Sequence, residues 1–223
     1  MNKDFRLAYD ILDKVFRDEA YSNVLLTEVL DKADNRALLT KLVYGTLEKN
    51  ITLEYYISEL CNNKPNKKIS TILKLGLFMQ KFMDSIPPYV IVNEMVNLTS
   101  YIKKSELSGF VNATLKKAME KNFVLPKDEK MALSVQYSVP LWLVKCLFKQ
   151  YKKDGAISIL SAGTFDYEHI RVNNRKCDNQ KLQKLLKELN VDFKDSGYGG
   201  YFVKNSKQIR ELFDKGLITY QSP

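Results

Sequence analysis

The spacing of apolar residues changes once along this chain, and that change limits its fold more than any other feature. Over the first 125 residues apolar side chains recur every three or four positions, the pattern of helices buried along one face. Phe5, Ala8, Leu12, Val15 and Phe16 follow it, as do Leu38, Leu39, Leu42, Val43 and Leu47. Ile69, Ile72, Leu73, Gly76 and Leu77 give the most regular i, i+3, i+4, i+7, i+8 stripe. Asp34 or Asn35 can cap a helix that begins near Arg36, and Ser105 with Glu106 can start one that runs toward Lys121. Loops are expected over 62–66 and 85–88, where proline disfavours helix at the preceding residue. About six or seven short amphipathic helices follow from these signals, enough for an all-α bundle over residues 1–125.

Residues 122–128, with Pro126, mark a boundary. Two more helices are expected next. The second opens at Pro140, which suits a first turn, and should bury Trp142, Leu143, Val144, Leu147, Phe148 and Tyr151. Beyond Gly163 the period becomes 2, as Ile170 and Val172 alternate with His169, Arg171 and Asn173. A helix with Leu182, Leu185, Leu186 and Leu189 comes next, then strands over 191–194 and 200–204 around a turn at Ser196, Gly197, Tyr198 and Gly199. A short helix with Ile209, Leu212 and Phe213 and a strand over 217–220 complete the order β-α-β-β-α-β. That is the split βαβ, ferredoxin-like plan. Residues 126–223 are therefore expected to form a small α+β domain with leading helices, the second domain of a two-domain chain.

Charge narrows the function. The 223 residues hold 35 Lys+Arg against 26 Asp+Glu, a net +9. Residues 1–125 carry 18 against 15, and residues 126–223 carry 17 against 11, so the shorter region holds two thirds of the excess. A positive field favours polyanions, nucleic acid among them. No apolar run approaches the roughly 18–20 residues of a membrane helix, and the start MNKDFRLAYD is not a signal peptide, so a cytoplasmic protein is expected. Cys61, Cys146 and Cys177 are odd in number and far apart, which excludes a disulfide framework or a closed zinc site of their own.

Catalytic signals are weak, and no catalytic, cofactor-binding or metal-binding residue is assigned. The lone His169 sits on an alternating strand and reads as a surface or hydrogen-bonded residue, since a general base needs a positioned partner. Cys61 and Cys146 read as packing residues and Cys177 as a loop thiol. Neither GxGxxG nor GxxxxGK[ST] occurs, and Gly197-Tyr198-Gly199-Gly200 reads as a hairpin turn. Basic residues are the better candidates. Arg6, Arg36, Lys41, Lys116 and Lys117 lie on helices or their ends; Arg is the rarer type here and presents a planar fork suited to phosphate. In the second region Arg171 and Asn173 share a strand face with His169, and Arg175 and Lys176 follow. Such a face can read single-stranded or looped RNA by charge and stacking, with rings from Tyr198, Tyr201 or Phe202. Tyr201 and Phe202 are adjacent and must face opposite sides, so one of them belongs to the core.

Several strings then fall into a familiar order. Leu42-Val43-Tyr44-Gly45-Thr46-Leu47 after Asn35-Arg36 resembles the third-helix signature of NusB-like RNA-binding domains. Arg6-x-Ala8, Tyr21-Ser22-Asn23, Ile72-Leu73-Lys74-Leu75-Gly76, Pro87-Pro88-Tyr89 through Val96, and Gly109-Phe110-Val111-Asn112-Ala113-x-Leu115-Lys116-Lys117 are similar to that family too. Tyr137-Ser138-Val139-Pro140-Leu141-Trp142-Leu143, His169-Ile170-Arg171-Val172-Asn173 and Gly216-Leu217-Ile218-Thr219-Tyr220-Gln221 resemble the segment that follows in the RsmB/Sun/Fmu family of 16S rRNA cytosine-5 methyltransferases.

The resemblance implies an rRNA-recognition region, acting as a monomer, whose S-adenosylmethionine-binding catalytic domain with its two cysteines lies beyond Pro223. No cysteine here matches that pair. The chain alone is thus expected to be inactive and without cofactor. A non-enzymatic antitermination-type factor with a ribosomal-protein partner is the alternative, and a pure protein-interaction module a third; the region after Pro126 argues against the antitermination factor. Within the matched strings Gly45 and Gly76 imply close helix packing. Asn93 and Asn112 read as caps or bridges at helix ends, and Glu94 as a first-turn acid.

Overall fold

The computed structural model describes residues 2–162, 167–197, 199–204 and 209–221. Helices α1 (Lys3–Asp18), α2 (Ser22–Val29), α3 (Arg36–Glu48), α4 (Asn50–Leu60), α5 (Lys67–Phe82), α6 (Pro88–Tyr101) and α7 (Ser108–Glu120) occupy the region read as a bundle. Their starts follow local chemistry. Side-chain oxygens of Asn2, Asn35 and Asn66 accept N–H bonds that α1, α3 and α5 would otherwise leave open. Pro88 opens α6, where a missing N–H costs nothing. At 105–107 the expected start is a short 3-10 turn, and α7 proper begins at Ser108.

Helix α5 is the centre. Ile69 and every residue from Thr71 to Met79 are buried. Such a helix, apolar almost all round, has to be enclosed by neighbours. Gly45 and Gly76 show how closely they approach: a Cβ on Gly45 would sit 2.1 Å from the Phe78 ring, and one on Gly76 3.0 Å from Leu115 and Met95. One link is invisible to periodicity. The buried carboxylate of Asp4 accepts the backbone N–H groups of Asp34 and Asn35, both at 2.9 Å, which fastens α1 to the start of α3.

Two compact units emerge, Met1–Ser158 and Ile159–Pro223. The division therefore falls far beyond the break read at 125/126. Helices α8 (Glu129–Tyr137) and α9 (Leu141–Ser161) follow the bundle, and α8 is bonded into it. Thr52 on α4 donates its hydroxyl to the Val135 carbonyl, and the Ile51 N–H donates to Ser138 Oγ at 3.1 Å. The charge split moves with the boundary. Residues 159–223 hold 11 Lys+Arg against 8 Asp+Glu, +3 of the +9, so the second unit does not dominate the field.

Helix α9 departs from expectation again. Only Val144 and Ala156 are buried; Trp142 is 69% exposed, and Tyr151 is exposed as well. Near its middle Lys152 has φ 58° and ψ −172°, which breaks the helical path.

In the second unit β1 (Glu168–Val172), α10 (Asn179–Glu188), β2 (Phe193–Asp195), β3 (Gly200–Val203), α11 (Arg210–Asp214) and β4 (Ile218–Tyr220) follow one another. The sheet order is β2-β3-β1-β4, with every neighbouring pair antiparallel. Ile170, Val172, Tyr201, Val203 and Ile218 turn toward Leu182, Leu186 and Leu212 of the two helices and form the core. Tyr201 is thus the inward ring and Phe202 the outward one; Tyr198 lies outside the described residues. Cys177, read as a loop thiol, is in a loop but buried in this core.

Gly45→Ala is expected to cost about 1–3 kcal/mol, because a Cβ there overlaps the ring of Phe78, which is itself buried. Urea unfolding would measure this, and pairing the change with Phe78→Leu should return part of the loss.

Candidate nucleic-acid interface

The core side of the second sheet fixes what its other side presents. Since Ile170, Val172, Tyr201, Val203 and Ile218 point inward, His169, Arg171, Gly200, Phe202, Lys194 and Thr219 face the opposite way. His169 does not stand free there. It is 8% exposed, with Nδ1 2.8 Å from the Gln221 carbonyl and Nε2 2.9 Å from Ser196 Oγ. Its ring lies 5.2 Å from that of Phe202. Gly200 makes room for it, because a Cβ there would meet His169 Nε2 at 2.8 Å and the Ile170 carbonyl at 2.4 Å. Both ring nitrogens are engaged inside the unit, so the residue acts as a bridge.

Arg171 is exposed, with Nη1 3.4 Å from Gln221 Oε1. Together with Asn174, Arg175, Thr219 and Gln221 it lines an open groove of about 470 Å³. Asn173, also on the groove wall, is occupied internally: Nδ2 donates to the Gly216 carbonyl at 2.8 Å and Oδ1 accepts the Arg175 N–H at 3.2 Å. Lys176 donates to the Lys215 carbonyl at 3.3 Å. The structure therefore brings Arg171 and Arg175 together, and gives Asn173 and Lys176 work in shaping the turn that carries Arg175.

In the first unit the basic candidates have separate surroundings. Arg6 lies 5.7 Å from the centre of the Tyr101 ring, and the Tyr101 hydroxyl donates to Asp10 Oδ2 at 3.0 Å. Burial pushes the Asp10 carboxyl above its ordinary value, outweighing the Tyr101 hydrogen bond and the Arg6 charge, which pull the other way. Arg36 pairs with Asp31 at 2.7 Å, and both are exposed. Lys41 is exposed on α3 and has no side-chain partner among the described residues. Lys117 donates to the Leu60 carbonyl at 3.3 Å, and Lys121 to the Glu59 carbonyl at 2.6 Å, so these two lysines cap the carbonyl end of α4.

Lys116 faces a different environment. With Tyr89, Asn93, Gly109, Asn112 and Met119 it lines a groove of about 470 Å³ between α6 and α7. The strings 87–96 and 109–117 that carry the resemblance thus meet at one place. Asn93 and Asn112 cap neither helix, since α6 and α7 start without a side-chain cap bond. Glu94 sits beyond the first turn of α6, and its Oε2 accepts the Asn2 N–H at 2.6 Å. Paired asparagines in two helical strings were the available sign of this groove; their residue type had pointed to caps instead.

No three His, Cys, Asp or Glu side chains among the described residues are placed to hold a metal ion. Burial raises the Cys61 thiol above its ordinary value, the reverse of what a nucleophile needs. No single helix among the described residues is long and apolar enough to cross a membrane.

Fold and surfaces together define a helical-bundle protein continued by a small antiparallel sheet unit, with grooves edged by basic and amide side chains in each. Over residues 5–120 the chain matches the NusB family model, and it belongs to the NusB family. It is 30% identical over 187 residues to the probable ribosomal RNA small subunit methyltransferase B of Bacillus subtilis, covering 79% of this chain and 42% of that protein. The ribosomal RNA small subunit methyltransferase B of Escherichia coli O1:K1 / APEC is 30% identical over 221 residues, covering 93% of this chain and 50% of that one. The chain spans about half the length of these curated relatives. Among solved structures, the crystal structure of PH0851 superposes with a TM-score of 0.65 at 18% identity, over 98% of this chain and 52% of that one.

Asp10 supplies a stability test. Its carboxyl holds its proton to higher pH in the fold than in the unfolded chain. Its contribution is therefore full on the acid side of the ordinary value and is lost as pH rises through the raised one. Asp10→Asn, uncharged throughout, should raise stability at neutral pH by less than about 1 kcal/mol and leave it unchanged in acid. Thermal unfolding at the two pH values checks this.

Proposed function

We propose that residues 1–223 are the rRNA-recognition region of an S-adenosylmethionine-dependent 16S rRNA (cytosine-5)-methyltransferase, with methyl transfer carried out by residues outside this stretch. One observation carries the reading: relatives named ribosomal RNA small subunit methyltransferase B align through both units, over 93% of the chain in the Escherichia coli O1:K1 / APEC case. The antitermination alternative, with its ribosomal-protein partner, accounts for residues 5–120 and leaves the sheet unit without a task. The sheet order β2-β3-β1-β4 supports a ferredoxin-like split βαβ for that unit. The protein acts as a cytoplasmic monomer in this reading.

The described residues do not fit S-adenosylmethionine. Gly197, Gly199 and Gly200 lie between or on the antiparallel β2 and β3, and the helix that follows β1 is opened by the Asp178 carboxylate. No cofactor residue is therefore assigned. Arg6, Arg36, Lys41, Lys116, Arg171 and Arg175 are the proposed phosphate contacts; Lys117, Asn173 and Lys176 hold the surfaces from within.

The purified chain should bind 16S rRNA with an affinity that falls linearly, on logarithmic axes, as salt rises. Fluorescence anisotropy across a salt series reads this out, and salt-independent or absent binding overturns the proposal. Calorimetry with S-adenosylmethionine should show no saturable heat; saturation would refute the assignment of the cofactor site to residues outside the chain.

A further inference from the structure

The outward face of the second sheet has a composition that its inward face lacks. Within the strands it presents His169, Arg171, Lys194, Gly200, Phe202 and Thr219, and no carboxylate. The two strand acids, Glu168 and Asp195, pair with Val203 and Tyr201 and so belong to the helix-covered side; Asp192, one residue before β2, faces outward with Lys194, at the end of the sheet away from Arg171. Phe202, half-buried, is flanked by Lys194 across β2 and by His169 across β1. Two positions along β1, Arg171 enters the groove that Arg175 shares. Arg175, Lys194 and Asn174 are exposed and have no side-chain partner among the described residues.

We propose that this face is a single-stranded RNA site, in which one unpaired base stacks on Phe202 and the adjoining phosphate is held by Arg171 and Arg175. The proposal rests on the rRNA reading above and says which surface and which form of RNA are involved. A partly exposed ring accepts any base, and the positive charge of Arg171 and Arg175, at the end of the sheet away from Asp192, complements the phosphodiester. A duplex offers no unstacked base to such a platform. Gln221, whose Oε1 engages Arg171, keeps its amide N–H groups for a base edge or a phosphate oxygen. His169 is a positioning residue: anchored to the Gln221 carbonyl and Ser196 Oγ, it fixes one side of the Phe202 ring.

The test uses the full chain with a short unstructured oligoribonucleotide carrying one 2-aminopurine, and with the same sequence annealed as a duplex. The single strand should bind more tightly and its emission should be quenched. Phe202→Ala should weaken binding roughly 10-fold or more and abolish the quench, while Phe202→Trp retains both. Arg171→Ala and Arg175→Ala should each lower the salt slope by about 0.7. His169→Ala should reduce the quench and leave the slope in place, a split that simple unfolding would not produce.

Equal affinity for the duplex, or wild-type binding and quench in a folded Phe202→Ala protein, overturns the site. If binding survives these changes and is lost in Lys41→Ala with Lys116→Ala, RNA lies on the bundle; the site fails and the rRNA reading stands. Failure of the unaltered chain to bind 16S rRNA overturns both.

Discussion

From Thr71 to Met79 helix α5 has no face left for solvent, and the first unit is arranged around that requirement. The surrounding helices meet it closely enough for Gly45 and Gly76 to be the residues at two contacts. Even its one buried charge follows the same rule. Lys74 is 5% exposed, yet its ammonium lies 2.8 Å from Glu54 Oε1 and 4.1 Å from the centre of the Phe16 ring. A buried ammonium left alone would cost several kcal/mol, so α4 and α1 have to present the carboxylate and the ring at the same spot. The centre thus dictates the placement of helices far from it in sequence.

Other polar links extend this arrangement outward and set limits on function. Asp4 ties α1 to the start of α3, Glu94 ties α6 to the first residues, and Lys117 and Lys121 close the carbonyl end of α4. A lysine that caps a helix has its donors turned toward carbonyls, so its charge reaches a polyanion less directly than that of Lys41 or Lys116. Net charge therefore overstates the number of groups available for phosphate. The same holds in the second unit, where Asn173 and Lys176 are bonded into the turn that presents Arg175.

Much of the fold was legible because it depends on neighbours in sequence. The 69–77 stripe marked α5, Asn35 marked the start of α3, and alternation at 170–172 marked β1. What was missed depends on partners far along the chain. The bonds from Thr52 to Val135 and from Ile51 to Ser138 draw α8 into the first unit, and no local pattern announces them. Trp142 is the bulkiest side chain in its helix and was read as core, yet the packing of α9 leaves it outside. At the candidate interface the residue types were right for an alternating face, yet alternation could not reveal that His169 is locked between Ser196 and Gln221.

That lock bears on how the sheet unit can recognise anything. A flat face with one free aromatic ring would let the ring change rotamer, and ordering it on binding would consume part of the interaction. Here His169 stands beside Phe202, Gly200 leaves space for the imidazole, and its two hydrogen bonds join β1 to the end of β4 and to the β2–β3 turn. The four strands are thus coupled on their outer side by one side chain, independently of the apolar core on the inner side. Keeping Glu168 and Asp195 on the inner side leaves the outward strand positions without a carboxylate, and Asp192, just before β2, lies at the end of the sheet away from Arg171. Strand alternation achieves both at once, since the same register that buries Tyr201 and Val203 directs Phe202 and Arg171 outward.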